Sequence, residues 1–141
     1  MLPKWHIFIG LIFSLILLYF FKLSITFIIL VFLSSILIDV DHYLFYLKKY
    51  KNFSLKKAYF WHKNLPRNHK PIMHIFHTIE FHIFVLALSF LFFPFFFVLI
   101  GMLFHSIIDL LEMLVIKDLS CREFSMIRYL LSNKKNYLNS H

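Results

Sequence analysis

Five of the chain's seven acidic residues, Asp39, Asp41, Glu80, Asp109 and Glu112, stand within or at the ends of apolar stretches, and none stands in its most basic stretch. A central aspartate costs a spanning helix about 2.5–3.5 kcal/mol on insertion scales, so ionisable groups placed there mark function by default. Histidines accompany the acids in Asp39-Val40-Asp41-His42, His74-x-x-His77 and His105-x-x-x-Asp109, with His6 ahead of the first apolar run. Spacings of three and four set paired side chains on one helix face. Imidazole and carboxylate without thiolate is a donor mixture for zinc, manganese or iron, and more than four donors make room for two ions. The expected divalent-metal ligands are His6, Asp39, Asp41, His42, His74, His77, His105 and Asp109, with zinc or manganese foremost. Asp39, Asp41, His42, His105 and Asp109 carry the expected catalytic role.

Each residue also has a plainer role open to it. His6 suits an interfacial histidine, and His82, Glu80 and Glu112 suit hydrogen bonds between helices. His62, His69 and His141 lie outside the apolar runs and suit solvated positions. Cys121 is the single cysteine, which excludes an intrachain disulfide and a CxxC motif.

The elements that must position these groups follow from composition and length. Of 141 residues, 60% are hydrophobic and 16% charged, too apolar a balance for a soluble fold. Two glycines and four prolines are too few for the turns of a β-barrel, and no stretch alternates with period two. An all-α integral membrane bundle remains. Trp5 to Ile38 as one helix would be roughly 50 Å long against a hydrocarbon core of about 30 Å, so it folds back near Lys22-Leu23-Ser24. The same argument divides His74 to Ile116 near Pro94. The expected single membrane domain therefore has spans at about 5–21, 24–41, 74–93 and 95–116. One helix over 81–104, making three spans, is the alternative. After the last span, 117–141 reads as a surface segment: a Ser120-x-x-Glu123 capping box, then a short amphipathic helix with Phe124, Ile127, Leu130 and Leu131 on one face, then an Asn/Ser/Lys tip.

Residues 48–73 hold Lys48, Lys49, Lys51, Lys56, Lys57, Lys63, Arg67 and Lys70 with no acid, a strong positive-inside signal. Four crossings then bring Lys4, Lys117, Arg122, Arg128, Lys134 and Lys135 to the same cytoplasmic side and leave Lys22 outside. Both termini are expected to be cytoplasmic, in the cell's inner membrane, with His6, the Asp39–His42 run, His74, His77, His105 and Asp109 all at the cytoplasmic end. The first apolar run has no small-x-small cleavage site behind it and reads as a retained helix. Tyr50, Phe53, Tyr59, Phe60 and Trp61 interleave with the loop lysines, so the net charge of +8 points to anionic lipid at headgroup level rather than nucleic acid.

Four segments resemble, in order, the HxxxG, LPDIDH, HRGxTHS and GxxxHxxxD elements of the membrane-bound metal-dependent hydrolases, the YdjM-like, LexA-binding inner-membrane group. They are His6-Ile7-Phe8-Ile9-Gly10, Leu37-Ile38-Asp39-Val40-Asp41-His42, His69-Lys70-Pro71-Ile72-Met73-His74 and Gly101-Met102-Leu103-Phe104-His105-Ser106-Ile107-Ile108-Asp109. Ile38 replaces a proline, and the third element keeps two histidines and a basic residue, with His77-Thr78 competing with His74-Ile75 for its His-Ser position. The resemblance implies a multi-pass protein with metal-dependent hydrolase activity. A metal-activated water is the expected nucleophile, and lysines above the site suit a phosphoester in a lipid headgroup or a nucleotide. A metal or proton transporter and a non-catalytic scaffold are the alternatives.

Overall fold

A computed structural model describes residues 3–65, 72–117 and 122–138. The roles expected of Arg67, His69, Lys70, Ser120, Cys121 and His141 lie outside the described residues. Helices α1 (Pro3–Phe21), α2 (Ile25–Leu37), α3 (Val40–Tyr50), α4 (Leu55–Lys63), α5 (Ile79–Leu91), α6 (Pro94–Val115) and α7 (Met126–Leu138) make up nearly all of it. A 3₁₀ turn covers Ile75–His77, and two-residue strands β1 (Ile72–Met73) and β2 (Arg122–Glu123) pair in parallel.

Among the described residues, three helices are long and apolar enough to cross a membrane: Lys4–Phe21, Ile25–Tyr50 and Pro94–Val115. The middle one departs from the expected span at 24–41. Instead of ending at Asp39–His42, the chain tightens there and continues as α3, because Asp39 N–H donates to Ile36 O (3.2 Å) and His42 N–H to Asp39 O (3.1 Å). A local switch to such i−3 bonds keeps the rod intact while shifting its register. The basic loop therefore begins after Tyr50, and it holds α4 packed on α3.

The expected span at 74–93 is shorter in the structure. Helix α5 has 13 residues, about 20 Å, because His74 and Thr78 are extended and Thr78 caps the helix by accepting from Phe81 N–H (3.4 Å). Pro94 does start the next helix, as its missing N–H and fixed φ favour. With glycine scarce, Lys22, Lys51 and Lys117 take the left-handed conformation after α1, α3 and α6 (φ 50°, 49° and 54°), and their charge suits a helix C-terminus.

The bundle buries polar and small residues beside an apolar cluster of Ile38, Val85, Leu99 and Met102, and it exposes large apolar side chains outside. Helix α1 buries His6, Gly10 and Ser14, while Phe8, Leu15 and Phe20 on its other faces are exposed. Helix α6 buries Gly101, His105 and Asp109, and α2 buries Ser34 and Ser35. Small residues at helix crossings and large apolar ones outside are what lipid-embedded helices use. A methyl on Gly101 would collide with the Val31 carbonyl and Ser34 Oγ, so both helices approach through that glycine. Stacked pairs Phe13–Phe104 and Phe27–Phe97, with centroids 3.8 Å and 4.1 Å apart, hold α1 and α2 against α6.

Candidate metal centre

Three parts of the fold deliver donors to one place. The tightened turn between α2 and α3 supplies Asp39, the 3₁₀ turn before α5 supplies His77, and successive turns of α6 supply His105 and Asp109. His105 Nε2 lies 3.3 Å from Asp39 Oδ1, 3.4 Å from Asp109 Oδ2 and 3.4 Å from His77 Nε2. His77 Nε2 lies 3.7 Å from Asp39 Oδ1 and 3.6 Å from Asp109 Oδ2. Four tetrahedral donors about 2.0–2.2 Å from one ion stand about 3.3–3.6 Å apart. Five of the six spacings in this group thus run from 3.3 to 3.7 Å, which fits such an ion.

The histidines are also turned the right way. His105 Nδ1–H donates to Ser35 O at 2.6 Å, and His77 Nδ1–H donates to Asp41 Oδ2 at 3.0 Å. Each bond places the proton on Nδ1 and leaves the Nε2 lone pair facing the cluster, the usual support of a metal-binding imidazole. Burial pushes the His77 imidazole below its ordinary pKa despite the opposing pull of Asp41, which favours the neutral, ligating form.

Asp41, His42 and His74 form a second group beside the first. His74 Nδ1 is 3.6 Å from Asp41 Oδ1, and both atoms are buried with no hydrogen-bond partner. Buried polar atoms without partners are uncommon and ask for a ligand or ion. Burial, with the charges of His42 and Arg122 behind it, pushes the His74 imidazole far below its usual range, so it too is neutral. The two groups share an edge: His42 Nε2 is 3.4 Å from Asp39 Oδ1, and Asp41 Oδ2 also accepts Phe76 N–H at 3.0 Å. Asp39 and His42 are about a quarter exposed (24% and 25%), which makes them the open side of the centre.

No family model, curated protein or solved structure matches the chain. The reading of the centre therefore stands on its own geometry.

Seven of the eight expected ligands fall into the two groups. His6 does not: its Nε2 faces Asp109 Oδ1 at 3.2 Å and its ring stacks on His105, centroids 4.3 Å apart. Asp109 turns Oδ2 to the cluster and Oδ1 back to α1, so His6 orients the carboxylate and is not a converging donor. His62, expected as a solvated residue, is half-buried and bonds the His42 carbonyl through Nε2 at 2.8 Å. His82 and Glu80 do bond between helices: His82 Nε2 accepts from Ser106 (3.2 Å), and Glu80 receives Ser125 Oγ–H (2.6 Å) and the Met126 and Ile127 N–H groups (3.0 and 3.2 Å). That makes Glu80 and Ser125 the cap of α7, with Ser125 Oγ also accepting Arg128 N–H at 3.2 Å.

Arg122 carries a site role that sequence reasoning counted only as a tail charge. The β1–β2 pairing sets it opposite Ile72, and its guanidinium lies 2.6 Å from Asp109 Oδ2. A carboxylate oxygen has lone pairs for both a cation of this kind and an ion. The arrangement can thus hold one or two divalent ions beside a fixed positive charge.

Proposed function

We propose that the protein is a membrane-bound, metal-dependent hydrolase, as the family resemblance implies, and that it acts on a phosphoester at the cytoplasmic face of the cell membrane, as the basic residues beside the site suit. The observation that carries this reading is the near-tetrahedral set of Asp39, His77, His105 and Asp109 beside the group of Asp41, His42 and His74, in which Asp41 and His74 each keep a buried atom without a partner. The first group would hold an ion with four protein donors. The second, with three, leaves a coordination position open, as catalytic sites do. A divalent ion bound there would supply Lewis acidity and lower the pKa of a coordinated water towards neutrality.

The chain's own groups do the rest. Asp39, on the open edge, is placed to take a proton from an entering water, since the other three carboxylate and imidazole members of its group are almost fully buried. Arg122 stands where an anionic oxygen would need a counter-charge. In the topology we propose, α1, the α2–α3 rod, α5 and α6 make four crossings with both termini cytoplasmic, α5 being a short span compensated by local bilayer thinning. Helix α7 lies on the membrane surface with Ile127, Leu130 and Leu131, all exposed in the bundle, against lipid.

Metal analysis of the detergent-purified chain, alongside hydrolysis of bis(p-nitrophenyl) phosphate, tests the function. About two zinc or manganese ions per chain with chelator-sensitive turnover is the expected result. A chain that takes up no ion sinks the proposal. Labelling of cysteines placed at Lys22 and Lys51 tests the topology, and reaction of both from one side overturns it. A transporter reading draws on the tightened turn inside the α2–α3 span, since ion pathways use interrupted helices. Metal uptake into sealed vesicles without turnover would favour it.

A further inference from the structure

Between α5 and α6 runs an apolar groove of about 380 Å³, within the roughly 300–1,000 Å³ of ligand pockets. Ile79 and Ile83 on α5 and Leu103 and Ile107 on α6 form its walls, and all four are exposed on the outside of the bundle. One end reaches His77 of the four-donor group and Arg122. The polar pair along the walls is already satisfied: His82 Nδ1–H donates to Thr78 O (2.8 Å), and its Nε2 accepts from Ser106. Nothing in the walls therefore calls for water. The groove is apolar along its length and cationic at one end, and its occupant must be the reverse, a hydrocarbon tail with an anionic head.

We propose that this groove holds an acyl chain of an anionic phospholipid, with the headgroup phosphate at Arg122 and beside the His/Asp centre. The guanidinium spends one amino group on Asp109, and its five N–H donors leave others for a phosphate. As an assignment of substrate, this rests on the hydrolase reading above: the phosphoester is then drawn sideways from the bilayer, and a soluble nucleotide is not the substrate class. As an assignment of a lipid site, it rests on the groove alone.

The test uses the full chain in dodecyl maltoside, equilibrated with mixed micelles of dioleoyl phosphatidylglycerol or dioleoyl phosphatidylcholine and then washed. Retained diacyl chains and bound metal are counted in the same samples, so headgroup cleavage does not hide retention. Wild type should keep about one phosphatidylglycerol per chain in preference to phosphatidylcholine, and Leu103→Trp, which fills the groove, should lose at least about tenfold of it with metal content unchanged. Arg122→Gln should still retain lipid but lose the preference for the anionic head. Equal retention of both lipids by wild type, or equal phosphatidylglycerol on wild type and folded Leu103→Trp, overturns the proposal. If Leu103→Trp does not fold, an undiminished anionic preference in Arg122→Gln overturns it instead. Selective lipid retention by a chain that binds no metal would remove the hydrolase and leave the lipid site standing.

Discussion

The two donor groups of the centre are built differently, although they touch. His77, His105 and Asp109 are held from behind by Asp41, by Ser35 and by Arg122, and with Asp39 they turn their donor atoms towards one another. Asp41 and His74 keep a buried oxygen and a buried nitrogen without partners. The first group is thus oriented by hydrogen bonds and an ion pair behind its donor atoms, whereas the second keeps two buried atoms that something bound to it would satisfy. They also depend on different parts of the fold. Helix α6 gives two of four donors to the first group and none to the second, which comes from α3 and the residue ahead of the 3₁₀ turn. Under the proposed function, the four-donor group would be the holding site and the three-donor group the working one.

The change that should break the comparison most is Asp109→Asn. It keeps the size of the side chain, removes a ligand from the four-donor group and strips Arg122 of its counter-charge. We expect metal content to fall from two ions per chain to one or none and hydrolysis to drop by at least about 100-fold. Because Arg122 is only 13% exposed, the metal-free variant should also lose stability, on the order of 3–5 kcal/mol for a broken buried pair. Metal analysis and thermal unfolding in one detergent read both effects. Unchanged metal content would remove Asp109 from the ligands.

A smaller and opposite signature is expected from His74→Leu in the three-donor group. Bound metal should fall by one ion per chain and hydrolysis should be lost, as with Asp109→Asn. The metal-free melting temperature, however, should stay level or rise, because the imidazole removed has a buried Nδ1 with no partner and its loss relieves a desolvation cost of about 1–3 kcal/mol. A melting temperature lowered as far as in Asp109→Asn would show that the two groups are not distinct in the way described.

How far the centre was legible in the sequence depends on the element concerned. The i, i+4 spacing of His105 and Asp109 suffices to put both on one face of an apolar helix, and the structure has them there. The spacing of His74 and His77 predicts one helix face, and the resemblance leaves open which of them takes its His-Ser position. They lie in an extended residue and a 3₁₀ turn, not on a helix, and they go to different groups. Apolar content in 74–78 reads as the start of a span, yet hydropathy does not record that these backbone and imidazole groups are claimed by Asp41. Arg122 and His62 were illegible for a similar reason. One reaches the site through a strand pairing with Ile72, 50 positions back along the chain, and the other through a packed loop helix. Sequence periodicity reports on single elements and not on which elements meet.

The finest test of the comparison lies in the two glycines, each one helical turn from a histidine that faces Asp109. Gly101 precedes His105 and meets the Val31 carbonyl and Ser34 Oγ across the α2–α6 crossing, whereas Gly10 follows His6 and meets the Ser35 hydroxyl, where an added Cβ would stand 2.6 Å from Oγ. A backbone carbonyl cannot move aside, so Gly101→Ala must push α6 off α2, at a cost of about 1–3 kcal/mol for overpacking. The same displacement draws His105 and Asp109 away from Asp39. Affinity at the four-donor group should weaken by roughly 10–100-fold, the range seen when the support of ligands is disturbed. The three-donor group has no residue on α6 and should keep its ion, so a metal titration should separate into one weakened and one unchanged step. Gly10→Ala should do less, since the Ser35 hydroxyl, bonded to Phe32 O at 2.8 Å, can turn away at the loss of that bond alone. If Gly101→Ala weakened both binding steps equally, the independence of the two groups would fail. If Gly10→Ala proved the more damaging, the α1 side, through His6 and Asp109, would be the more rigid support of the centre.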